Sequence, residues 1–124
     1  MNIIENYKQQ YQGSYNGAVN EEAVDEVLSQ FSVTNESYRN WLIQTGGGPI
    51  GSDWLDGINE LEQSQEKLKN EPWAISGFVI GWDGAGNPIV INSNGEIITE
   101  DHNFSGAHKM ASSFNELLAI HVSS

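Results

Sequence analysis

The chain has 124 residues, 38% of them hydrophobic, with four Trp, four Tyr and four Phe, which is enough apolar surface for one self-standing core and predicts a single domain over 1–124. It contains no Cys, which excludes disulfides, thiolate zinc sites and a Cys nucleophile together. A net charge of −12, from 17 Asp+Glu against five Lys+Arg, repels phosphate backbones and anionic lipid and favours encounter with a basic protein surface.

Taken in chain order, residues 1–8 show no basic n-region and no apolar run of signal-peptide length. No stretch approaches the roughly 20 apolar residues that span a bilayer, so the expected location is cytoplasmic. Ile4, Tyr7 and Tyr11 share one stripe of a helix over 3–11. Asn20 is placed to cap a second helix over 21–31, with Glu21 and Glu22 at its positive end. A third, over about 35–44, is capped by Thr34 or Asn35, carries Tyr38, Trp41 and Leu42 inward, and stops at Gly46-Gly47-Gly48-Pro49. Residues 59–69 read as a surface helix with only Leu61 and Leu68 as apolar anchors.

The character changes at Trp73. Ile75 and Phe78–Trp82 form a β-rich segment, 83–87 a turn, and 88–92 a return strand. Asn94-Gly95 signals a two-residue type I′ hairpin, after which 96–100 makes a third strand. A further strand near Trp54-Leu55-Asp56 is left open by weak periodicity. The last helix begins near Ser113, with Ser113 and Glu116 at capping-box spacing and Phe114, Leu117, Leu118 and His121 on one face. Helices followed by a meander and a closing helix predict an α+β domain: an antiparallel-rich sheet, with possible extra edge strands, carrying helices on one face.

Several motifs invite chemistry and are better read otherwise. Gly46–Gly48 follows a helix and has no Lys nearby, so it is a helix stop and flexible turn, not a phosphate loop. Asp83, Ala85 and Asn87 start like a calcium loop, but the third position lacks an oxygen ligand and Pro88 stands where Gly is needed. Asp101-His102 and His108 sit in a Gly-containing loop with no third metal ligand at a fixed spacing, and His121 is read as a core histidine. Glu96, Glu100 and Asp101 read as solvated acids rather than a carboxylate pair flanking a cleft. Trp41 and Trp82 lie on apolar stripes and are assigned to the core. Trp54, between Asp53 and Leu55-Asp56 in a polar, turn-like stretch, is an interface candidate. No catalytic residue, metal or cofactor is predicted.

The order of these features resembles the SUKH superfamily. The carriers are the helix Tyr38-Arg39-Asn40-Trp41-Leu42-Ile43-Gln44 running into Thr45-Gly46-Gly47-Gly48-Pro49-Ile50, and the strand Phe78–Trp82 followed by Asp83-Gly84, Gly86-Asn87 and Pro88–Ile91. They continue with Asn94-Gly95-Glu96-Ile97, Glu100-Asp101-His102-Asn103 and the closing helix from Met110-Ala111-Ser112-Ser113-Phe114. The likeness spans roughly residues 30–120 and departs at Ser32-Val33-Thr34, where members often carry a Leu-Pro or Ile-Pro step. It implies a non-enzymatic domain of helices on an antiparallel-rich sheet, used mainly by bacterial immunity proteins that neutralise polymorphic toxins and by some intracellular adaptors. The expectation is therefore an immunity protein that occludes a cognate toxin, of the nuclease class, with an acidic surface. The alternative is an adaptor or regulatory scaffold. The candidate partner contacts, chosen as acidic or aromatic residues in expected loops and strand ends, are Asp53, Trp54, Asp56, Asp83, Glu100 and Asp101.

Overall fold

The computed structural model describes residues 2–71, 73, 75–100 and 106–122. Its elements run α1 (Ile3–Gln10), α2 (Glu21–Gln30), α3 (Glu36–Thr45), β1 (Gly48–Ile50), β2 (Asp53–Leu55), α4 (Ile58–Asn70), β3 (Phe78–Trp82), β4 (Pro88–Ile91), β5 (Ile97–Glu100), β6 (Ala107–Ala111) and α5 (Phe114–His121). The helix starts follow the caps. Asn20 Oδ1 accepts from the Glu22 and Ala23 amides (2.8 and 3.2 Å), Asn35 Oδ1 from Tyr38 (2.9 Å) and Ser113 Oγ from Glu116 (3.1 Å).

The six strands form one antiparallel meander in the order β1-β2-β3-β4-β5-β6, so the α+β assignment holds. Two strands pair at one edge where the sequence left a single one open. β6 lies where a loop was expected. His108 is therefore on an exposed edge strand, paired with Thr99, and not in a Gly-containing loop. Ala107 to Lys109 are all exposed, so the alternation that marks a half-buried strand is missing, and a Lys on an edge strand discourages further pairing.

The turn after β4 is also corrected. Asn94 does not have positive φ, because Ser32 is the only non-glycine with positive φ among the described residues. Instead Gly95 takes φ 81°, its N–H donates to Asn92 O (3.0 Å), and the Asn92 N–H donates to Glu96 O (3.0 Å). That is a three-residue loop ending in a left-handed glycine. The loop after β3 repeats it with Gly86 at φ 88° and an Asp83 N–H to Asn87 O bond of 2.9 Å. Asp83 and Asn92 play the same part, each accepting backbone N–H bonds from the residues two and four positions on. Asp83 is thus a turn builder, with its carboxylate turned onto its own loop.

The core gathers Tyr7, Leu28, Tyr38, Trp41 and Leu42 from the first three helices, Phe114, Leu117 and Leu118 from α5, and Leu55, Ile80, Ile89 and Ile97 from the sheet. Tyr38 and Trp41 both meet Phe114 edge-on, with ring centroids 5.2 and 5.6 Å apart. Trp82, assigned to the core from its stripe, is only half-buried.

α4 buries more than its two leucines suggest: Leu61, Ser64 and Gln65 are all inside. β3 runs past the short β2, which would leave the Val79 amide and carbonyl without partners. The Gln65 side chain supplies both, with Nε2 donating to Val79 O and Val79 N–H donating to Oε1, each at 2.8 Å. A buried polar group left unpaired costs about 1–3 kcal/mol, so Gln65→Ala should lower stability by roughly 3 kcal/mol in urea denaturation. Glu66→Ala, one residue along on the exposed side, should cost under about 0.5 kcal/mol. Equal effects from the two substitutions would remove this role from Gln65.

Candidate functional site

The structure divides the six predicted contacts. Asp53 and Trp54 lie in β2, so Trp54 is a strand residue and not part of a turn, and it is half-buried. In the antiparallel β2–β3 pair Trp54 stands opposite Trp82. Asp53 and Asp83, one step further along these strands, then fall at the same end of the pair. Burial raises the pKa of Asp53, the Asp83 charge adds to this, and the Gly84 N–H and His121 oppose it. For Asp83 burial acts upward, but hydrogen bonds from Asn87, Ala85 and Gly86 outweigh it and hold the carboxyl below its usual range. Asp53, Trp54, Asp83 and the unforeseen Trp82 therefore form one neighbourhood.

Asp56 and Glu100 belong elsewhere. Asp56 is 3% exposed and Glu100 8%, so neither is the open surface acid expected from the sequence. Glu100 Oε1 accepts the Ile75 N–H at 2.9 Å, tying the connection after α4 to β5. Asp101 lies outside the described residues, as does His102.

Asp56 anchors a buried relay. Ser64 Oγ donates to Asp56 Oδ2, and Trp82 Nε1 donates to Ser64 Oγ at 2.9 Å. Lys67, one turn along α4, places Nζ 4.3 Å from the centroid of the Trp82 ring. Burial pushes the Asp56 carboxyl up to about 6; the Ser64 bond and Lys67 pull it down, and Glu60 pushes it up. Sequence reasoning missed Ser64, Lys67 and Trp82 as a group. The i, i+3 spacing of Ser64 and Lys67 puts them on one helix face, but only the fold brings Trp82 there.

Charge is sorted as well. Arg39 is held by Asp25 Oδ1 and Glu21 Oε1, both at 2.6 Å, Lys69 lies 3.6 Å from Glu66, and Lys109 lies 3.8 Å from Glu96. α2 and α4 pack side by side, and Glu22, Glu26, Glu62 and Glu66 on them are exposed. A groove of about 530 Å³ between the α2–α3 connection and the β4–β5 loop has Phe31, Val33, Phe78 and Ile91 among its lining and no ionisable side chain. It offers no acid, base or metal ligand. Among the described residues no three His, Asp or Glu side chains are grouped as a metal would need, and no helix is long and apolar enough to cross a membrane.

An antiparallel six-stranded meander with helices packed on it, and polar clusters spent on structural hydrogen bonds, describes an α+β domain of the SUKH type. The SMI1 / KNR4 family (SUKH-1) model matches residues 5–120, and the chain belongs to that family. No curated protein matches the chain.

Proposed function

We propose that the domain is an immunity protein that binds and blocks a basic protein toxin of the nuclease class, without catalysis of its own. Family membership over residues 5–120 is consistent with an immunity-type domain, and the charge distribution supports a basic partner. Three of the five cations are spent in internal ion pairs and Lys67 sits over an indole, while the outer faces of α2 and α4 expose acids with little to neutralise them. A nuclease needs a cationic groove for phosphates, and such a groove attracts an acidic body at the rate-setting distance where charges steer encounter.

Co-expression with the product of the neighbouring gene tests this directly: relief of growth arrest is the expected result. Between about 50 and 500 mM salt the association rate of the complex should fall at least tenfold, because exposed charges are screened. A rate indifferent to salt would remove substrate mimicry from the mechanism. Failure to relieve arrest, with a stable complex to a housekeeping protein, would favour the adaptor reading.

A further inference from the structure

The two faces of the sheet are used unequally. Directly paired residues of antiparallel strands project to the same side, so the register sorts them. Leu55, Gly81 and Ile89 stand on the helix side, while Pro49, Trp54, Trp82 and Pro88 make a row across four neighbouring strands on the other. At about 4.8 Å between strands the row is roughly 14 Å long. Further along this second face Val79 and Val90 are fully buried, and Pro88 at the end of the row is buried too, but Pro49, Trp54 and Trp82 remain half-buried.

We propose that the accessible part of this row, Pro49, Trp54 and Trp82, is a docking surface for an arginine-bearing segment of the partner protein, with the guanidinium stacked against Trp54 and Trp82. The partner's identity rests on the immunity reading above; the surface itself rests on three observations. First, the Trp82 ring is suited to a cation, since Lys67 Nζ lies 4.3 Å from its centroid; an incoming guanidinium shares the ring with this ammonium or displaces it toward solvent. Second, the indole is held by its Nε1 bond to Ser64, so little side-chain freedom is left to lose on binding. Third, Asp53 and Asp83 close one end of the strand pair, and the chain carries −12 overall, which suits a cation and opposes pairing with a second copy. Arginine fits better than lysine, because its planar, weakly hydrated head stacks on an indole.

The probe is an acetylated hexa-arginine peptide amide, titrated at about 150 mM salt, where exposed charges more than about 8 Å apart are largely screened. The four indole N–H signals are followed by NMR. The Trp54 and Trp82 signals should shift together while those of Trp41 and Trp73 stay put. Hexa-lysine should bind several-fold more weakly, and Trp54→Ala should weaken hexa-arginine binding about fivefold or more. Shifts confined to backbone amides of α2 and α4, with the indoles unmoved, would overturn the proposal, and so would equal binding of the two peptides. The wild-type titration reads the surface without any variant having to fold. Rescue of growth arrest by the wild type and equally by a folded Trp54→Ala variant would overturn this surface and leave the immunity reading intact. Indole shifts without any rescue would do the reverse.

Discussion

Replacing Gly47 by alanine is expected to destabilise the protein by more than about 4 kcal/mol, a large share of the 5–15 kcal/mol that holds a domain folded. Two costs combine. Gly47 has φ 95°, a conformation that an L side chain adopts only under strain of about 1–3 kcal/mol. Its added Cβ would also lie 2.6 Å from the Gly57 N and 2.7 Å from the Asp56 carbonyl carbon, backbone atoms that open the start of α4 and cannot swing aside. The control is Gly86→Ala: φ is 88°, nearly the same strain, but nothing lies within 4 Å of the new Cβ. Urea denaturation of both should separate the terms, with Gly86→Ala costing about 1–2 kcal/mol and Gly47→Ala clearly more. If both fell equally, close packing at Gly47 would be refuted.

That result bears on how the triple glycine is read. From sequence it is a stop and a flexible turn, and the stop is correct, since Gly46 caps α3 in the left-handed region with its N–H on Leu42 O at 2.8 Å. Flexible it is not. Asn16 N–H donates to Gly47 O, Asn16 Nδ2 to Gly46 O and Gly17 N–H to Thr45 O, all within 2.9 Å, and Gly48 already belongs to β1. Partners at 16, 17 and 57 touch these glycines only after folding, so no local pattern could announce them. The helix caps were legible because Asn20, Asn35 and Ser113 act within four residues of themselves. The edge strands were not. β1 and β2 are three residues each, and β6 has three exposed residues in a row. Polar residues were misplaced for a related reason: a rule that sends Asp and Gln outward cannot foresee that Gln65 completes a strand edge or that Asp56 receives Ser64. The Trp54–Trp82 pairing is legible in neither segment alone, since it depends on the β2–β3 register.

Asp56→Asn should raise stability at neutral pH, by up to about 3 kcal/mol, while leaving it almost unchanged near pH 4. An unfolded aspartate titrates near pH 3.9, and in the folded protein burial pushes Asp56 to about 6, roughly two units at about 1.4 kcal/mol each. The folded state therefore binds this proton more tightly than the unfolded chain. The stabilisation is fully present below pH ~4 and is lost as pH rises through 6, because a buried charge must then be carried. Asparagine has no proton to lose, and its Oδ1 still accepts from Ser64, so the loss disappears. Asp83, whose carboxyl is held low, contributes the opposite slope, but it is present in both proteins and cancels in the difference. Thermal or urea unfolding of the pair from pH 4 to 8 should give curves that nearly coincide at the acid end, diverge between about pH 4 and 6, and hold a constant gap above that. Parallel curves would mean that Asp56 titrates as an ordinary surface acid, and the relay to Trp82 would lose its buried anchor. With the Ser64 bond retained, Trp82 keeps its orientation in the variant, so hexa-arginine binding should be unchanged while stability rises. The carboxylate's charge would then be a cost to the fold that the proposed Trp54–Trp82 surface does not require.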